Sequence, residues 1–187
     1  QQVHAHGAQV IGVPVDSRGL DCDAGRQTAR LARLAYVTPA CQFPLGVPMS
    51  RVRRVQLLAW ARESGAWIFE DDYDSQLHFG ERCPPPTLYA CDAAGSVIYS
   101  NSFNRMLFPA LRLSYIVVPH GLVDAFVGAF SLAGGPAPTH PQAVLAAFIT
   151  EGHFARHMRR MRALYAERRE ALVAAARDEL GGLLEIA

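Results

Sequence analysis

Five short runs built almost wholly of apolar, β-branched and aromatic residues recur along the chain, at residues 9–15, 34–38, 66–70, 97–100 and 114–118. A strand with one wet face alternates apolar and polar residues, whereas runs this continuous belong to a sheet covered on both sides. Between the second and third runs lies the segment 50–64, in which Val52, Val55, Leu57, Leu58 and Trp60 are set among arginines and a glutamate. That spacing predicts an amphipathic helix with Ser50 as its N-cap. Strand, helix and strand in this order predict a three-layer αβα fold around a mainly parallel sheet. After Val118 the pattern turns helical, over residues 122–132, 142–150 and 152–179.

Composition narrows the function classes. The chain of 187 residues is 50% hydrophobic and 19% charged with a net charge of +1, a core-forming balance that excludes a disordered tail and a strongly basic nucleic-acid module. Residues 125–150 carry no Asp, Glu, Lys or Arg, yet the Gly- and Pro-rich stretch 134–141 interrupts them. No continuous apolar run of about 20 residues survives, so two helical pieces are expected rather than a membrane span. All 18 basic residues are arginine. Chemistry that needs a lysine amine is therefore closed to this chain.

Cys22, Cys41, Cys83 and Cys91 form no C-x-x-C pair, which gives no support to a zinc or redox motif. His153 and His157 fall on one helical face but lack a third ligand, and the arginine-rich stretch 156–169 around them reads as a surface helix with Met158, Met161, Leu164 and Tyr165 on its buried side. No metal site is expected. A chain that begins at Gln1 and closes on an apolar run is expected to be a piece of a longer protein. No signal peptide is visible, so the expected compartment is the cytoplasm.

In open α/β sheets ligands sit beyond the carboxyl ends of the strands. After the third run comes Glu70-Asp71-Asp72-Tyr73-Asp74-Ser75, and after the fourth Asn101-Ser102-Phe103-Asn104-Arg105. The acids could form a magnesium site, but no G-x-x-x-x-G-K-[ST] accompanies them to hold phosphates, and a solvated acidic loop is the plainer alternative. A carboxylate at a strand end can also keep the ring nitrogen of pyridoxal 5'-phosphate protonated, with a nearby tyrosine donating to the ring oxygen.

The motifs make that last reading specific. Asp71 to Ser75 resembles the D-D-Y-D-S of the MocR/GabR-type transcriptional regulators and, more widely, the fold-type I aminotransferases. Val97 through Tyr115 is similar to V-I-Y-x-G-T-F-S-K-T-L-F-P-A-L-R-L-G-Y, and Val37 through Gly46 to V-T-P-x-H-Q-F-P-x-G. The segment from Glu151 through Arg169 is similar to the family's linking helix. The resemblance covers nearly the whole chain in the correct order.

It implies a partial fold-type I large domain over residues 1–150, and over 151–187 the linking helix and helical start of the small C-terminal domain. Asp71 matches the partner of the pyridine nitrogen, Tyr73 the hydroxyl near the ring oxygen, and Ser102 and Arg112 the phosphate-binding positions. Gln42 falls near the position that stacks or bonds beside the ring. Arg105 stands where the family has its Schiff-base lysine. A guanidinium stays protonated and is a poor nucleophile, so no catalytic residue is assigned and cofactor binding is expected to be non-covalent. Asn101 and Ser114 also replace glycines of the pattern.

The function implied is an effector-sensing domain, unable to transaminate, that takes a small amino compound. DNA would be bound only through an N-terminal winged-helix domain not seen here, no membrane partner is expected, and the full-length protein would be a homodimer. The alternatives are a pyridoxal-phosphate-dependent aminotransferase of the same fold and its decayed, inactive relative.

Overall fold

The computed structural model describes residues 7–77, 85–135, 137–181 and 183. Cys83, Pro136 and the closing residues 184–187, all noted above, lie outside the described residues. The chain divides into two compact units, Gln1–Gln76 with Cys83–Pro136, and Leu77–Arg82 with Ala137–Ala187.

The first unit is built on a four-stranded sheet of β3 (Leu34–Val37), β4 (Trp67–Asp71), β5 (Val97–Ser102) and β6 (Ser114–Val117), which lie side by side in that order. β3, β4 and β5 are parallel, and β6 closes the edge antiparallel to β5. Four of the five expected strands are present. The run 9–15 is the exception. Only its last residue pairs, in a short antiparallel ladder of β1 (Val15–Asp16) with β2 (Gly19–Leu20), and Val10 and Ile11 are exposed. An apolar run becomes a strand only where a free edge receives its N–H and C=O groups; over residues 9–14 the structure forms no ladder, and the Pro14 carbonyl accepts from the Asp21 N–H at 2.8 Å.

One face of the sheet carries the core. Val37, Ile68 and Val97 pack against Cys22 of α1 (Cys22–Thr28), Leu57 and Ala61 of α2 (Arg51–Ser64) and Leu88 of the single-turn α3 (Leu88–Cys91). On the opposite face Leu34 and Tyr36 are exposed, and the Tyr36 and Phe69 rings stack 5.7 Å apart.

Helix α2 starts where its sequence says it should. Ser50 Oγ accepts from the Arg53 N–H at 3.3 Å, and Gly65 ends the helix at φ 63°. Its buried face differs from the expected one. Val52 and Val55 are exposed, while Arg53, Arg54, Leu57 and Ala61 point inward. The reason is hydrogen-bond demand. Arg54 donates to the carbonyls of Pro39, Met49 and Pro86, and Arg53 pairs with Asp16 and Asp21. Buried guanidinium groups are tolerated because carbonyl and carboxylate acceptors meet them, three carbonyls at Arg54 and two carboxylates at Arg53. Arg54 thereby holds both ends of the loop between β3 and α2.

Glu70 answers a similar demand. Its side chain is 1% exposed and accepts from the Leu88 and Tyr89 N–H groups, the otherwise unpaired first donors of α3. Burial raises its carboxyl above the usual range, against the pull of those two N–H groups and of Arg54.

After β6, α4 (Val123–Leu132) leaves Val127 and Phe130 exposed. The second unit is a helix pair, α5 (Thr139–Thr150) and α6 (His153–Leu180), so the expected helical segments are all present, with α5 starting three residues early. Pro141 sits in the first turn of α5, where no N–H is needed. Gly152, at φ 77°, makes the left-handed turn between the helices. Phe148 of α5 stacks on His153 and meets His157 edge-on, so the two histidines take part in the helix–helix contact. Among the described residues no helix is long and apolar enough to cross a membrane, and no cluster of metal-ligating side chains is found.

Candidate functional site

All five of the expected site residues lie in the first unit, at the end of the sheet where β4 and β5 finish and β6 begins. Asp71 is the last residue of β4 and pairs with Ser100 of β5. Side chains alternate along a strand, so Ser100 and Ser102 project from the same face as Asp71. Ser102 pairs with Ser114 of β6, and its hydroxyl lies 3.4 Å from the Leu113 carbonyl, 3.1 Å from Ser114 Oγ and 3.2 Å from the Asn104 N–H. Arg112, directly before Leu113, adopts φ 53°, the single described non-glycine residue in left-handed conformation, and is exposed. The β5–β6 reversal therefore carries Ser102 and the backbone of Arg112 to the end of the sheet at which β4 finishes in Asp71.

Tyr36 of β3 completes the acid's surroundings. Its phenol donates to Asp71 Oδ2 at 2.5 Å. Burial, and then this bond, push the Tyr36 phenol above its ordinary range. Sequence reasoning passed over Tyr36 because it is an ordinary strand residue; it stands opposite Phe69, two residues before the acid on the neighbouring parallel strand and on the same face of the sheet, a relation that only the register supplies.

Tyr73 is already engaged. Its hydroxyl donates to the Cys41 carbonyl at 2.8 Å, and burial together with that bond pushes its pKa up to about 12. To donate to a ligand it must exchange that bond. Arg105 lies over the Tyr73 ring, 4.8 Å from the centroid, and pairs with Asp74 at 3.3 Å. Its charge is thus held by a carboxylate and an aromatic face, with 55% of the side chain exposed. Gln42 braces its own loop: its amide donates to the Phe43 carbonyl and accepts from the Leu45 N–H.

Beneath these groups runs a buried network. Asp72, 2% exposed, accepts from the Tyr99 phenol at 2.6 Å and from both the hydroxyl and the N–H of Ser75. Asn101, also 2% exposed, donates to the Tyr99 oxygen and accepts from the Ser102 N–H.

The mixed α/β sheet with helices packed on it defines the class. The fold is that of the fold-type I pyridoxal-phosphate aminotransferases. The α-aminoadipate aminotransferase LysN of Thermus thermophilus, solved with a phosphopyridoxyl-leucine, superposes with a TM-score of 0.83 at 30% identity over 92% of this chain and 45% of that one.

By sequence the chain is MocR/GabR-like, and corresponds to the aminotransferase-like part of such regulators. It is 44% identical over 180 residues to the probable rhizopine catabolism regulatory protein MocR of Rhizobium meliloti, covering 96% of this chain and 36% of that protein. It is 41% identical over 153 residues to the HTH-type transcriptional regulator YhdI of Bacillus subtilis, covering 82% of this chain and 32% of that one. The chain thus spans about a third of the length of these curated relatives. No family model matches it.

Proposed function

We propose that this chain is part of the effector-sensing domain of a transcriptional regulator, that it binds pyridoxal phosphate without a covalent bond, and that it does not transaminate. The observation that carries the reading is Arg105, which stands at the family's lysine position and is fastened to Asp74 and Tyr73.

The donors present suit the cofactor. Asp71 offers a carboxylate for a protonated ring nitrogen, with Tyr36 steadying it. Ser102 and Arg112 offer a hydroxyl and a guanidinium for a phosphate. Tyr73 stands ready beside them for a ring oxygen once it exchanges its bond to Cys41. When bound, pyridoxal phosphate supplies an electron sink and an aldehyde that reacts with amines. Arg105 contributes a fixed positive charge there and no nucleophile.

An amino-compound effector would meet the aldehyde directly, and its arrival would be passed to a DNA-binding domain outside this chain; the regulator names of the relatives support that reading. Residues 1–150 and 151–187 would act as the large-domain and linking-helix parts of a cytoplasmic homodimer.

The test is a titration of the full-length gene product with pyridoxal phosphate, followed by borohydride reduction and mass spectrometry. Saturable binding with no reduced adduct on the protein is expected. A reduced adduct at residue 105, or no binding at all, would overturn the proposal.

A further inference from the structure

Burying a carboxylate is costly unless donors surround it, and a core of apolar residues would be more stable in its place. Asp72 is nonetheless buried at the tip of β4, immediately after Asp71, with its donors drawn from two sources. Ser75 supplies two from the turn that carries Tyr73 and Asp74, and Tyr99 supplies one from β5. The backbone joins in, since the Asp72 N–H donates to the Ser100 carbonyl at 2.9 Å. Asn101 then fixes the phenol from the other side and holds the Ser102 N–H, 2.6 Å from its Oδ1. Where the resembling family pattern has glycine, this chain has placed a side chain that uses both ends of its amide.

The result is a continuous chain of hydrogen bonds from the turn after β4, through Asp72, Tyr99 and Asn101, to the backbone of Ser102. Every member is buried or half-buried. The phenol of Tyr99 is raised above its ordinary range, by burial and then by Asp72, so it stays a donor throughout the neutral range.

We propose that Asp72, Tyr99 and Asn101 are positioning residues that lock the tips of β4 and β5 together, so that a single ligand reaches Asp71 and Ser102 at once. The role rests on the pyridoxal-phosphate reading above. Asp71 meets one end of the ligand from β4, and Ser102 meets the other from β5. Neither contact alone depends on the spacing between the strand tips; a ligand that bridges them does. The network acts on that spacing.

The experiment measures binding of pyridoxal phosphate, pyridoxal and inorganic phosphate to the full-length protein and its Tyr99→Phe variant. The unsubstituted protein is expected to bind pyridoxal phosphate well beyond either half. Tyr99→Phe is expected to weaken pyridoxal phosphate by about tenfold, the scale of one hydrogen bond to a charged group. Pyridoxal and phosphate, tested singly, should bind as before. A uniform loss for all three ligands marks general destabilisation and overturns the proposal, as does unchanged pyridoxal-phosphate binding. Should Tyr99→Phe fail to fold, Asp72→Asn serves: the amide keeps one acceptor oxygen, so the same selective loss is expected at smaller size, and its absence overturns the proposal. Failure of the unsubstituted protein to bind pyridoxal phosphate ends the pocket reading itself, and the positioning role with it; binding that the variants leave untouched ends the positioning role alone.

Discussion

The Tyr36 phenol donates to Asp71 Oδ2 across two neighbouring parallel strands, so the acid at the tip of β4 is oriented by a residue of β3. The two residues sit at one end of the sheet because their strands run in register, Tyr36 opposite Phe69 and Val37 opposite Glu70. A ligand's ring nitrogen would compete for, or share, the carboxylate that this phenol already steadies.

Tyr36→Phe removes that donor while leaving the ring stack on Phe69 in place. Pyridoxal-phosphate affinity is expected to fall several-fold, on the scale of about 0.5–1.5 kcal/mol for one hydrogen bond. A binding titration checks it. The pH consequence follows from the raised phenols of Tyr36, Tyr73 and Tyr99. Each binds its proton more tightly folded than unfolded, so the stabilisation is complete below about pH 10 and is lost as pH rises through the folded values. A tyrosinate absorbance titration should show these phenols ionising late, Tyr73 at about 12, whereas tyrosines of an unfolded reference peptide ionise at about 10.

Glu70→Ala leaves two N–H groups at the start of α3 without a partner. At about 1–3 kcal/mol for each donor the expected loss is roughly 2–6 kcal/mol, read by urea denaturation. Glu70→Gln keeps one acceptor and should lose about half as much. Because burial raises this carboxyl, its own titration favours the folded state most at acid pH and less as pH rises through the folded value, the reverse of an ordinary surface acid.

Arg105→Lys places an amine where the family has one. The expected outcome in the full-length protein is a coloured, borohydride-reducible linkage to pyridoxal phosphate, located at residue 105 by mass spectrometry. Because the Arg105 side chain is largely exposed, its ion pair with Asp74 should contribute no more than about 1 kcal/mol, and the variant should melt close to the parent.

Asp21→Asn tests the other end of the pH scale. Asp21 caps α1 through the Asp23 and Ala24 N–H groups and pairs with Arg53 at 2.7 Å; the Arg53 guanidinium is the main reason its carboxyl lies below the usual range. A depressed carboxyl stabilises the fold above its unfolded pKa of about 3.9, and that stabilisation is lost as pH falls through the folded value. Thermal melts from pH 6 down to about 2 should show a shallower acid decline in the variant than in the parent.

Much of the architecture was legible from residue pattern alone. Continuous apolar runs marked β3 to β6, Ser50 and Gly65 bracketed α2, and the charge-free stretch broken by Gly and Pro resolved into helices rather than a span, because periodicity, capping and turn chemistry are local properties of the chain. The absence of lysine was equally plain. Other features depend on what lies across from a residue. Residues 9–14 look like a strand but form no ladder among the described residues; Val52 and Val55 look buried but yield the inner face of α2 to Arg53 and Arg54, whose acceptors come from distant loops. Tyr36 on Asp71, Cys41 on Tyr73 and the Asp72–Tyr99–Asn101 network are likewise contacts between segments 27 to 35 residues apart. A hydrogen bond is satisfied by geometry in space, and strand order and register bring such groups within reach; neither can be read from the neighbours of any one residue.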